Sequence, residues 1–247
     1  GTTVGLFPTH VAAAAKTWSG ATNGNWSVGT NWVGGVAPVS GDNLVFPAAP
    51  TGNFAMTDDL PVTVTNLTGL AFTCSTSCYT VGGTNALWAL NGNLSLTGSG
   101  GAQTVVFSEG LTLGANVNVS ATDGSAAFRF DGVIGESAAH SITTFGPGTV
   151  VFNNNNTFTG GVSLDGASGS QVSNSAGGTV TPFGTGTVTV GNGASVGLFS
   201  SPNLANNFVL NGTTFFVGSV QAIGNATISG TVTLSADSTV SENQNTG

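Results

Sequence analysis

The sequence predicts an all-β protein built as a β-helix, a solenoid of short strands. Three observations point there. No segment of the 247 residues carries a sustained helical period. Short apolar/polar alternations recur to the end of the chain, cut by Gly, Asn and Asp turns. Gly, Thr, Ser and Asn make up 124 of the 247 residues, and Thr and Asn suit rungs on which like side chains stack and share hydrogen bonds.

The strand candidates follow in order. Early ones are Leu60–Thr65, Gln103–Phe107, Leu111–Leu113 and Asn116–Val119. Later ones are Thr149–Phe152, Thr187–Val190, Asn207–Leu210 and Thr231–Leu234. Each sets Val, Leu, Ile or Phe on one face and mainly Thr, Ser, Asn or Gln on the other, which gives one packed and one wet side. Two β-sandwiches also fit this many short strands. The coil is favoured because hairpin-type Asn-Gly pairs are missing between most strands. At roughly 20 residues per coil and about 4.8 Å per rung, residues 17–240 predict about 11 coils and a length of roughly 50–55 Å. Asn153–Asn156 reads either as a stacked corner or as a polar loop. Val11–Lys16 is the one helix-forming stretch, too short to stand alone.

Charge excludes several functions. Two cations, Lys16 and Arg129, stand against ten acidic residues, a net charge of −8. Such a chain cannot neutralise a phosphate backbone, so nucleic acid is excluded as a partner. Electrostatic seating on an anionic membrane fails for the same reason. No apolar run approaches the length of a spanning helix, so no membrane insertion by this chain is expected.

Cys74 and Cys78 flank three residues, close enough for a tight turn to bring them into disulfide range. A metal pair would need further ligands, and His10 and His140 show no ligand spacing. A redox pair is usually one residue shorter. A disulfide implies an oxidising compartment, hence a secreted or cell-surface location.

Trp18, Trp26 and Trp32 cluster near the start. They suit either a cap over the first coil, which otherwise exposes its core, or a platform for stacking on sugars. Trp88 reads as core. Residues 1–16 read as an N-terminal arm or a signal remnant. Residues 17–247 read as one β-helix domain, with 17–46 as its Trp-rich cap.

Chemistry is sparse. Asp58 and Asp59 are adjacent, so a strand would send them to opposite faces and deny them an acid/base partnership. Arg129 lies between Phe128 and Phe130, which predicts an outward ion pair with Asp131. His140 lacks a nucleophile elbow. No calcium loop of the EF-hand or nonapeptide type occurs. The expectation is therefore no enzyme, no cofactor and no metal.

Two stretches carry a resemblance. Residues 17–46 hold Thr17-Trp18-Ser19-Gly20, Gly24-Asn25-Trp26, Asn31-Trp32, Ala37-Pro38 and Gly41-Asp42-Asn43-Leu44-Val45-Phe46. Residues 130–165 hold Phe130-Asp131-Gly132-Val133-Ile134, Gly146-Pro147-Gly148-Thr149-Val150-Val151-Phe152 and Asn156-Thr157-Phe158-Thr159-Gly160-Gly161-Val162. Gly184–Val190 and Gly230–Thr239 continue the phrase. The pattern resembles bacterial surface proteins with autotransporter-associated β-strand repeats. The resemblance implies a right-handed parallel β-helix, exported and surface-exposed. The membrane barrel of autotransporters has no counterpart in these residues, which points to its removal or to another export route.

Self-association is the last expectation. A coil ends in unpaired strand edges. Ile228, Val232, Leu234 and Val240 form an apolar C-terminal end with only Asp237 and Glu242 as flanking charges. Val4, Leu6 and Phe7 make the arm apolar enough to add a strand to a neighbouring copy. The functional expectation is a structural protein of a filament, sheath or matrix, with copies of itself as partner. The alternative is an adhesin module that binds a host surface or surface glycans.

Overall fold

The computed structural model describes residues 14–50, 52, 54–75, 78–83, 88–98, 101–165, 169–173, 178–191, 193–199, 202–211, 214–217 and 227–242. It is an all-β solenoid. Among the described residues the helical content is one 3-10 turn, Gly29–Asn31.

Parallel ladders run along the solenoid. The longest passes through Ala15–Thr17, Asn43–Phe46, Asn66–Cys74, Ala89–Gly98, Val117–Ala121, Ile142–Phe145, Val162–Leu164, Val188–Val190, Phe208–Leu210 and Val232–Leu234. A second passes through Ala55–Asp58, Thr80–Gly83, Gln103–Phe107, Ala126–Phe130, Thr149–Phe152, Gly169–Ser173, Ser195–Phe199, Thr214–Val217 and Thr239–Glu242. Leu111–Leu113 and Ile134–Glu136 branch off the long ladder at Ala89–Gly98, and Gly178–Val180, Pro202–Leu204 and Thr227–Ile228 form a separate three-stranded parallel sheet.

The step from rung to rung is uneven. Ala15 pairs with Asn43, 28 residues on, whereas Ile142 pairs with Val162, 20 residues on. Corners of variable length absorb the difference. The long ladder is therefore ten strands deep rather than eleven coils. It spans about 43 Å at ~4.8 Å per step, shorter than the sequence reading gave. The first strand includes Ala15 and Lys16, which the sequence reading assigned to the arm. Pairing with Asn43 and Leu44 wins there over any tendency to helix.

Inward positions are filled by large apolar side chains. Phe107, Phe130 and Phe152 are register partners on successive rungs, and all three are buried. Their rings stack at 5.3 and 5.8 Å between centroids. Ladder spacing and ring stacking have nearly the same period, so one inward Phe per rung packs without adjusting the backbone.

The corners are held by side-chain amides that reach between coils. Asn153 Nδ2 donates to Asp131 Oδ1 at 2.7 Å, and Asn154 Nδ2 donates to the Asp131 carbonyl at 2.8 Å. Asn155 Oδ1 accepts from the Thr181 N–H at 3.1 Å. Asn156 is buried; its Oδ1 accepts from the Ile134 N–H at 2.7 Å and its Nδ2 donates to the Pro182 carbonyl at 2.5 Å. The four-asparagine run is thus a stacked corner that ties one coil to those on either side of it. At another corner Gly146 has a φ of +85°, and a Cβ there would lie 2.3 Å from the Ala121 carbonyl oxygen. Both facts restrict the position to glycine.

Candidate functional site

The first and last described rungs of the solenoid differ, and the difference is built from named residues. At the N-terminal end the chain leaves its first strand at Thr17, loops out, and returns through the turn Gly29–Asn31. Buried Asn31 fixes this loop. Its Oδ1 accepts from the Thr22 and Asn23 N–H groups at 2.8 and 3.0 Å. Its Nδ2 donates to Asn23 Oδ1 at 2.7 Å and to the Asn25 carbonyl at 2.8 Å.

The loop uses edge groups of the first coil. Val33 N–H donates to the Thr17 carbonyl at 2.8 Å. Trp26 N–H donates to the Thr57 carbonyl at 3.0 Å, and Thr57 N–H donates back to the Gly24 carbonyl at 2.8 Å. The loop also delivers Trp18, Trp26 and Trp32 onto Phe46, with ring centroids 5.6 to 6.3 Å from it. All three indoles are at most 2% exposed. Trp32 Nε1 donates to the Trp26 carbonyl at 2.8 Å. Rings so enclosed form the wall of a core and offer no face to a sugar. Asp42, also buried, accepts from the Ala14 and Val39 N–H groups at 2.9 Å each, and Lys16 Nζ lies 3.9 Å from it.

Among the described residues, the last rung of the long ladder is exposed. Val232 and Leu234 are register partners of Phe208 and Leu210. Phe208 and Leu210 are fully buried, whereas Val232 and Leu234 are 41% and 58% exposed. These are the same inward positions one rung apart, and among the described residues no further rung covers the second pair. Ile228 packs partly buried against the core. Val240 lies in the strand Thr239–Glu242, paired with Thr214–Val217. Val4, Leu6 and Phe7 lie outside the described residues.

Cys74 and Cys78 are joined by a disulfide, with Cα atoms 5.2 Å apart. Cys74 is buried and Cys78 packs against the core. Gln103 Nε2, from a strand of the second ladder, donates to the Ser75 carbonyl beside it.

Charged residues are mostly spoken for. Arg129 and Asp131 form the outward ion pair, with Nη2 2.6 Å from Oδ2, while Phe128 and Phe130 point inward. His140 N–H donates to Glu136 Oε2 at 2.7 Å. Asp59 faces outward and accepts from Ser27 N–H and Oγ at 2.8 and 2.6 Å. Among the described residues no group of three or more His, Cys, Asp and Glu side chains is placed to hold a metal. No described helix is long and apolar enough to cross a membrane.

Two acidic residues escape sequence reasoning. Asp58 is 1% exposed and Glu109 is 8% exposed. Desolvation pushes the Asp58 carboxyl up to about 6, although hydrogen bonds from Trp88 Nε1 and the Leu60 N–H oppose the shift. Desolvation, helped by the charge of Asp58, pushes Glu109 up to about 8. Inward alternation along Ala55–Asp58 was a signal for the first. The second continues the inward alternation of Gln103, Val105 and Phe107, so the same period was a signal for it.

No protein-family model, no curated protein and no solved structure matches this chain.

Proposed function

We propose that the chain is a non-enzymatic, exported structural protein that self-associates head to tail into an extracellular filament, sheath or matrix. The observation that carries this reading is the asymmetry of the outermost described rungs. The cap loop covers the first, while Val232 and Leu234 stand exposed on the last. An uncovered terminal rung is a template for an added strand. The segment that supplies it is the arm, Val4, Leu6 and Phe7, of a second copy. A contact between unlike ends repeats without closing unless a rotation closes it, so it builds filaments. Export is supported by the Cys74–Cys78 disulfide and by the resemblance to autotransporter-associated repeats.

The test deletes residues 1–13 and compares both chains by electron microscopy. Filaments from the full chain and dispersed particles from the truncated one are expected. Equal polymerisation of the two would refute the role of the arm.

A second reading is an adhesin that binds a surface glycan. It draws on the outward column Asn118, Thr143, Ser163 and Thr189, uncharged and in register along the long ladder. Glycan-array binding by a chain lacking its arm would favour this reading over assembly.

A further inference from the structure

Asp58 and Glu109 sit on either side of one glycine, away from water and away from any cation. Gly83 is the register partner of Asp58 on the next rung. Val81 pairs with Phe107, and continuing that register sets Glu109 over Gly83. A Cβ at Gly83 would lie 2.4 Å from the Asp58 carbonyl oxygen and 2.4 Å from Glu109 Oε2. The missing side chain therefore makes the room into which the Glu109 carboxyl folds. Asp58 accepts from Trp88 Nε1 and from the Leu60 N–H, the latter at 3.2 Å. Glu109 Oε2 is buried and has no hydrogen-bond partner.

The surrounding strands bring no compensating charge. Asp59, beside Asp58, faces outward to Ser27. On Ala126–Phe130, Arg129 is held on the outer surface by Asp131. Tyr79, before Thr80–Gly83, donates its hydroxyl to the Pro47 carbonyl. Gln103–Phe107, Asn66–Cys74 and Ala89–Gly98 contain no ionisable side chain that titrates, since Cys74 is in the disulfide.

We propose that Asp58 and Glu109 form a proton-operated latch between the body of the solenoid and its N-terminal cap. Trp88 transmits its state. The indole N–H of Trp88 holds Asp58, and its ring stacks on Trp26 of the cap at 6.1 Å. While the pair keeps one proton, the site carries a single charge, satisfied by the Trp88 and Leu60 donors. When the second carboxyl ionises, two like charges are held on either side of Gly83 in a buried site with one set of donors. The cheapest relief is local: the corner opens, Trp88 leaves Trp26, and the cap loosens as a unit while the remaining coils stay paired. The raised carboxyls place the second ionisation at mildly alkaline pH.

The four tryptophans, Trp18, Trp26, Trp32 and Trp88, all lie in the cap or against it, so indole emission reports this region. The experiment follows emission maximum and acrylamide quenching of the full chain from about pH 5 to about pH 10, with far-ultraviolet circular dichroism in parallel. The expected result is a reversible red shift with its midpoint near pH 8 and an unchanged β signal. Glu109→Gln and Asp58→Asn can never carry two charges at this site, so both should lose the shift. If Glu109→Gln does not fold, Asp58→Asn decides alone. No red shift in the parent chain, or a shift that persists in a folded variant, overturns the latch.

Discussion

Phe46 and Phe72 are register partners on successive rungs, and their rings stack 4.5 Å apart with 9° between the planes. Phe46 is also the residue on which the three cap tryptophans converge. One aromatic column therefore joins cap to coil. Phe72→Ala would remove a ring at the base of that column and leave a cavity. The expected cost is about 3–5 kcal/mol, read as a lower urea midpoint with an unchanged slope. Val133→Ala, at a position 41% exposed, should stay within about 0.5 kcal/mol of the parent.

Asn31 makes the cap loop a defined structure. Asn31→Ala would strand the Thr22 and Asn23 N–H groups. The expected loss is about 1–3 kcal/mol for each stranded donor that stays out of water. Hydrogen exchange should show the amides of 22 and 23 losing protection before those of Val117–Ala121.

The disulfide spans a short loop, so it constrains little of the unfolded chain. Reduction should lower stability by about 2 kcal/mol at most. The unreduced chain should weigh two hydrogens less than the reduced one by intact mass spectrometry.

Stability should peak in weak acid. Glu109 and Asp58 are raised from ordinary values of 4.5 and 3.8 to about 8 and about 6. Through those windows the folded chain holds more protons than the unfolded one, so stability falls as pH rises. Asp131 and Glu136 are shifted the other way. At both, burial raises the pKa but is outweighed, at Asp131 by Arg129 and Asn153 and at Glu136 by the His140 and Thr159 N–H groups. Their contribution is lost as pH falls below the ordinary carboxylate range. Thermal melts should give the highest midpoint near pH 5, with lower midpoints near pH 3 and pH 9. A midpoint that keeps rising to pH 9 would contradict the assignment of the buried pair.

Much of this fold was legible because strands alternate. Phe128-Arg129-Phe130-Asp131 announces its two faces in four letters, and the structure places them so. The tryptophan cluster was legible as a group, while its burial depended on a loop whose path is set by Asn31, a residue with no periodic signal. Coil length was misjudged because corners such as Asn153–Asn156 vary in length without changing the strands they join. Glu109 falls in phase with inward Val105 and Phe107, yet the room for a carboxyl there was not legible, for a related reason. Its burial follows from Gly83, one rung earlier, which gives up a side chain to admit it. Contacts across a step of 20–28 residues leave no mark on local sequence.

The central proposal is that a covered first rung and an exposed last described rung make this solenoid assemble. Multi-angle light scattering of the full chain over a wide concentration range tests it most directly, beside a variant carrying Val232→Asp and Leu234→Asp. The account predicts a parent mass that grows with concentration and a variant that remains a folded monomer. A parent that stays monomeric throughout, or a folded variant that assembles as the parent does, would contradict it.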